Sequence, residues 1–325
     1  MKVFPNIFAR FVYIMENQNQ IVITRSMTVF QMMTFLIEQL HENHRFRTAE
    51  TYTTARNNFR RFREGKDILL KQLTPELLAH YESWMLERGL SRNTTSFYMR
   101  ILRAAFNQAV EKGYVSDTRP FRHVYTGVDK TRKRAIPLST MRRIQVLNLS
   151  GRPDLSLARD LFLFSFYTRG MSFVDMSFLR PDNIVGGYLE YARKKTGQSI
   201  RIKWEKTMQD IVDRYPPQPA GYLLPIVSDP SRDGRNQYRN TLAKVNAGLS
   251  EISRMLNIYP PITTYVARHS WASIAYAQKV PLGVITAALG HDSERTTRIY
   301  LDSVSLSRVD RANAMMIRLL QGGDK

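Results

Sequence analysis

Apolar residues recur at helical spacing along most of this chain and alternate at strand spacing in one place, which restricts it to a mainly helical fold with a small sheet. Val29, Met32, Met33, Leu36 and Leu40 form one helical face, and Thr28 and Gln31 stand at capping-box spacing before it. A second helix is expected over 48–62, apolar at Tyr52, Ala55, Phe59 and Phe62, with Arg56, Arg60 and Arg61 interleaved. Thr74-Pro75-Glu76 opens a third, since Thr caps and Pro suits the first turn; it ends near Gly89. Asn93 or Thr94 starts a fourth, with the stripe Phe97/Tyr98, Ile101/Leu102, Ala105 and Ala109, and Gly113 stops it. Residues 26–116 therefore read as an all-helical unit, preceded by a tail over 1–25 that carries a short strand-like IVIT at 21–24.

Pro120, Gly127 and the run DKTRKR mark residues 117–134 as a basic linker, and a second domain over 135–325 follows. Ser139 is placed to cap a helix with Met141, Ile144 and Leu147 on one face, and the apolar helix SLARDLFLFSFYTRG comes next. Leu189 and Tyr191, then Ile200, Ile202 and Trp204, alternate around Lys195-Thr196-Gly197-Gln198, a β-hairpin pattern. The remainder to Leu320 reads as helical, broken by Pro216-Pro217, Pro260-Pro261 and Gly290.

With 325 residues the chain has room for two domains, and at 43% hydrophobic residues it can bury a core in each. Its formal charge of +20 points to a polyanionic partner, with nucleic acid ahead of a membrane surface because no strongly amphipathic cationic tail is present. There are no cysteines, which removes disulfides, thiolate zinc sites and thiol nucleophiles, and fits a reducing compartment. Pro5, Arg10 and Glu16 interrupt the mildly apolar start, so a signal peptide is not expected, and no apolar run nears the ~20 residues of a membrane span. A cytoplasmic protein is the resulting expectation.

Chemistry concentrates in the segment ITTYVARHSWASIAYAQKVPLGVITAALGHDSERTTRIYLD: an Arg268-His269 pair, then Leu289-Gly290-His291, then Tyr300 nine residues after His291. A lone helical tyrosine commonly packs, and a lone histidine is commonly structural; it is their joint order that carries information. Transfer of a phosphoryl group to a protein hydroxyl requires charge neutralisation, an in-line nucleophile and a proton for the leaving alkoxide. Guanidinium, always charged and able to grip two phosphate oxygens, suits the first task.

The order and spacing resemble the C-terminal signature of the tyrosine recombinases, the phage-integrase family, which cut and rejoin DNA through a phosphotyrosine bond. The resemblance covers most of the chain from residue 26. It implies a helical, SAM-like core-binding domain over 26–116 and a mixed α/β catalytic domain over 135–325. It makes Tyr300 the nucleophile, Arg268 a phosphate clamp, His291 a hydrogen-bond donor to the same phosphate, and Lys195, directly before Thr-Gly at a hairpin tip, the general acid, with Lys194 as backup. Two positions depart from the pattern. Ser172 stands where the first arginine belongs, so Arg169, one helical turn earlier, is expected to supply that guanidinium, with Arg180 a weaker choice and Asp175 holding the region. Tyr265 stands where a histidine is common; a phenol donates to phosphate but accepts a proton poorly, and His269 points elsewhere on its helix and reads as structural. Both departures resemble a subgroup among conjugative-element integrases and DNA invertases.

Arg92, Arg100 and Arg103 on the fourth helix, and Lys130, Arg132, Lys133 and Arg134 in the linker, are the candidate DNA-backbone contacts, a solvated face being the alternative for any one of them. The resemblance further implies double-stranded DNA at specific recombination sites as partner, a homotetramer on DNA from a monomer or weak oligomer, possible help from DNA-bending proteins, a nucleoid-associated location in bacteria, and no metal or cofactor. The 25 residues before the core-binding unit leave no room for an arm-site domain, which favours inversion or resolution over arm-dependent integration. A terminal helix with Val309, Ala312, Met316 and Leu319/Leu320 on one face packs in cis or on a neighbouring protomer. The rival reading is a DNA-binding regulator that keeps the fold and has lost cleavage, which the missing first arginine would explain.

Overall fold

The computed structural model describes residues 27–129, 134–298 and Asn313. The expected strand at 21–24, Lys130, Arg132, Lys133, Tyr300 and the terminal helix lie outside the described residues. The chain forms two compact units, Met1–Thr131 and Arg132–Lys325.

The first unit packs four helices: α1 (Val29–Glu42), α2 (Phe46–Phe62), α3 (Pro75–Glu87) and α4 (Arg92–Glu111). The α1 capping box forms as expected: Thr28 Oγ1 accepts from Gln31 N–H at 3.3 Å, and Gln31 Oε1 accepts from Thr28 N–H at 3.1 Å. Thr74 caps α3 with Pro75 at its first position. The core is aromatic: Tyr81 lies 5.0 Å from Phe59 edge-on and 4.9 Å from Phe62, between ring centroids.

Two details of α4 differ from expectation. Ser91, not Asn93 or Thr94, caps it. The buried face begins with Thr95, Ser96 and Met99, while Phe97 is exposed. Ser96 buries cleanly because its hydroxyl donates to the Gly127 carbonyl. That bond belongs to a wider pattern, since the segment expected as linker folds back on this unit. Phe121 and Val124 enter the core, and Asn93 exchanges hydrogen bonds with the Asp129 backbone at 2.8 and 3.1 Å.

In the second unit, α5 (Leu138–Gln145) starts after Pro137, so Ser139 lies inside its first turn instead of capping it. Helix α6 (Pro153–Tyr167) is buried on nearly all sides. The long helix α9 (Gly234–Met255) crosses it closely at Gly248, where a Cβ would stand 2.9 Å from that of Ala158. After the short α7 (Phe173–Met176) comes an antiparallel sheet in the order β1 (Ile184–Val185), β2 (Tyr188–Ala192), β3 (Ser199–Lys203). The hairpin register pairs Leu189 with Ile202 and Tyr191 with Ile200, as alternation predicts; β1, only two residues long, carries no such signal. Helices α8 (Lys206–Val212), α10 (Val266–Ala277), α11 (Leu282–Leu289) and α12 (Glu294–Arg298) follow. Residues 213–233, read as helical, are irregular: Pro216, Pro217, Pro219, Pro225 and Pro230 deny them a run of backbone donors. No helix among the described residues is long and apolar enough to cross a membrane.

Candidate active site

The second unit brings three chain segments together around Arg268. The first is the turn after α6, where Arg169 and Gly170 both take left-handed φ, +59° and +74°. Gly170 is required there: a Cβ would lie 2.6 Å from the Arg268 Cα. The second is the hairpin β2–β3. The third runs from α10 through the C-terminus of α11 into α12.

Arg268, on the first turn of α10, is 5% exposed. Its guanidinium donates to the Gly170 carbonyl at 2.9 Å, to the Leu289 carbonyl, and to His291 Nε2 at 2.9 Å. Arginine has no acceptor, so Nε2 must accept, and the ring proton resides on Nδ1. Nδ1 lies 2.8 Å from Thr297 Oγ1, which lies 2.9 Å from Thr286 Oγ1, which donates to the Leu282 carbonyl at 2.8 Å. Thr297 Oγ1 therefore accepts from the ring Nδ1–H, and the Thr286 hydroxyl has both Thr297 Oγ1 and the Leu282 carbonyl as acceptors. Gly290, left-handed at φ +62°, ends α11 and turns the chain so that His291 enters the site. In this tautomer the Nε2 lone pair of the neutral ring is taken by the Arg268 guanidinium.

Burial lowers the His291 pKa first, followed by the Arg268 and Arg193 guanidiniums, to about 4 from an ordinary 6.5. The folded-state value is thus the depressed one. The neutral ring contributes stability fully above pH 6.5, and that contribution is lost as pH falls towards 4. Thermal unfolding from pH 7 to 4 should show a steeper loss for the wild type than for His291→Gln; parallel curves would contradict the depressed value.

Lys195 sits exposed in the hairpin turn. The base of that turn is fixed through Asp175: Lys194 N–H donates to Asp175 Oδ1 at 2.8 Å, and Ser172 Oγ donates to Oδ2 at 2.6 Å. Ser172, at the position of the missing arginine, also caps α7. Lys194 is exposed as well, and its ammonium lies over the Phe178 ring at 4.8 Å.

The other expected residues are placed as follows. Arg169 donates to the Arg201 carbonyl on β3 at 3.3 Å. Arg180 stacks over Tyr222 at 4.7 Å and is exposed. Tyr265 is 52% exposed, its ring edge-on to that of His269 at 4.7 Å. Missed in the sequence was Arg193, 9% exposed, whose guanidinium donates to the Gly290 carbonyl. It stands in a basic run, ARKKTG, that reads as solvated, yet it packs against Gly290, where an added Cβ would lie 3.1 Å from its Cδ. Among the described residues no group of three His, Asp or Glu side chains could hold a metal ion.

In the first unit Arg92, Arg100 and Arg103 fall within an arc of about 80° on α4, at 100° per residue. Arg92 covers the Tyr125 ring at 3.9 Å, and Arg103 donates to Thr126 at 2.8 Å. Arg134 is exposed.

Two family comparisons agree with this geometry. The phage integrase SAM-like domain matches residues 28–124, and the phage integrase family matches residues 192–305, a stretch that includes Lys195, Arg268, His291 and Tyr300. The chain belongs to the phage integrase family, the tyrosine recombinases. It is 25% identical over 238 residues to the tyrosine recombinase XerD of Halalkalibacterium halodurans, across 71% of this chain and 77% of that protein. Its fold is similar to that of the Tn1549 transposon integrase in complex with transposon right end DNA (TM-score 0.65, 15% identity, 90% of this chain and 100% of that one). It is also similar to a lambda integrase tetramer bound to a Holliday junction (TM-score 0.62, 18% identity, 85% and 78%).

Proposed function

We propose that this chain is a site-specific DNA recombinase that cleaves and rejoins DNA through a 3′-phosphotyrosine intermediate. The observation that carries it is the pair of buried Arg268 and half-buried His291, between the first turn of α10 and the C-terminus of α11 beside the Lys195 hairpin, with the family's tyrosine nine residues after His291. The Tyr300 phenol oxygen attacks the scissile phosphorus as the bond from phosphorus to the 5′ oxygen breaks. Arg268 neutralises the charge on the non-bridging oxygens, and Lys195 gives the leaving 5′ oxygen its proton. Once the phosphate takes the Arg268 guanidinium, the Nε2 lone pair of His291 that Arg268 occupies in the free protein opens to the phenolic proton, where a histidine at position 265 is lacking. Return attack by a 5′-hydroxyl of the partner duplex reverses each proton transfer, so the phosphodiester energy is conserved and no cofactor is consumed.

Double-stranded DNA is the partner, held through the α4 arginines and the basic stretch 130–134. A homotetramer on two sites, as in the lambda integrase complex with a Holliday junction, is the expected assembly. A DNA substrate places the protein in the cytoplasm, on the nucleoid. Residues 26–116 act as the core-binding domain and 135–325 as the catalytic domain, serving integration, excision or inversion of a mobile segment.

The test uses a nicked duplex taken from DNA flanking the gene, in EDTA, with a denaturation-resistant protein–DNA adduct as the readout. Lys195→Ala should slow adduct formation by about 10²–10⁴-fold. Replacing the bridging 5′ oxygen with sulfur should restore most of the rate, because a thiolate leaves without a proton. If sulfur gives no recovery, Lys195 is not the general acid.

A further inference from the structure

We infer that Arg193, not Arg169, supplies the second guanidinium on the scissile phosphate; this deepens the recombinase reading and rests on it. Three observations converge. Arg193 is 9% exposed, and its Nε is buried without a hydrogen-bond partner. Its guanidinium donates to the Gly290 carbonyl, while that of Arg268 donates to the carbonyl of Leu289, the preceding residue. The two cations are thus docked on successive carbonyls at the C-terminus of α11, whose partial negative charge favours cations. Both depress the pKa of His291, so both stand close to the same ring.

A guanidinium buried on one carbonyl, with no carboxylate paired to it among the described residues, is an incompletely compensated charge. Such a group is electrostatically prepared for an anion, and an anion gripped by Arg268 and His291 would stand next to it. The position that carries the arginine in the family is occupied here by Ser172, whose hydroxyl is spent on capping α7 and on Asp175. Arg169 donates instead to the Arg201 carbonyl on β3, at 3.3 Å. Ser172 and Arg193 are tied to one another through Asp175, which accepts from both Ser172 Oγ and Lys194 N–H. The substitution therefore leaves a scaffold that fixes the strand end from which Arg193 projects. Gln198 Oε1 is also buried without a partner, so the hairpin base holds a donor and an acceptor that are not joined to each other.

The alternative is that Arg193 only staples the hairpin to α11. Phosphate charge separates the two roles. The scissile step is first mapped from the wild-type adduct on the nicked flanking duplex. Adduct formation is then compared on the natural phosphodiester and on a duplex with a neutral methylphosphonate at that step. Arg193→Ala should lose about 100-fold or more on the phosphodiester and less than about tenfold on the methylphosphonate, relative to the wild type on each. Arg169→Ala should show no such difference. Equal loss by Arg193→Ala on both substrates overturns the inference, as does recovery confined to Arg169→Ala. Should thermal unfolding show Arg193→Ala to be unfolded, Arg193→Lys keeps the charge and the stem but not the two-pronged grip. It should still lose rate selectively on the phosphodiester, and equal loss on both substrates, relative to the wild type on each, overturns the inference. Absence of any wild-type adduct would instead overturn the recombinase reading itself.

Discussion

Arg268→Lys is expected to lower the single-turnover rate of DNA cleavage by about 10³-fold or more while DNA binding changes only a few-fold. In the free protein the side chain donates to the Gly170 carbonyl, the Leu289 carbonyl and His291 Nε2. The fork that meets these is the same planar array that grips two phosphate oxygens, and an ammonium reproduces neither geometry. Affinity should survive, because a chain of formal charge +20 can spread it over many phosphate contacts. A comparable loss of binding and cleavage would mean that Arg268 serves ground-state affinity instead of the transition state.

Gly170→Ala should be the most damaging conservative change. Its φ of +74° is unfavourable for alanine, and the added Cβ would lie 2.6 Å from the Arg268 Cα and 2.8 Å from its Cβ. Backbone on both sides must shift, at about 2–5 kcal/mol for strain and overpacking together. In a domain of this size that corresponds to a fall of roughly 5–15 °C in the thermal midpoint. Cleavage should fall further than stability, because the Gly170 carbonyl orients Arg268. A variant with an unchanged midpoint would show that the two segments are not in contact.

Much of the fold was legible because local chemistry dictates it. The Thr28–Gln31 box, Pro75 at the first position of α3, Gly290 closing α11 and the alternation of Leu189, Tyr191, Ile200 and Ile202 each act within a few residues. What failed depended on partners distant in sequence. Phe97 and Tyr98 outweigh Thr95 and Ser96 in hydrophobicity, yet Ser96 faces inward because Gly127, 31 residues on, accepts its proton. Within the site, Arg268 and His291 could be placed by spacing, but the direction of the His291 proton could not, since it follows from the Arg268 guanidinium donating to Nε2 from 23 residues away. Arg193 was hidden for the same reason: its acceptor is Gly290, 97 residues away.

The central claim is that Tyr300 becomes covalently joined to DNA, and peptide mapping of the trapped adduct tests it most directly. After digestion with nuclease and trypsin, the nucleotide remnant should be found on the peptide spanning residues 299–308, linked at Tyr300, and the adduct should be absent from Tyr300→Phe. A remnant on any other residue, or specific DNA binding by the wild type with no adduct on a nicked site, would contradict the account; the second outcome would make the protein a regulator with a recombinase fold.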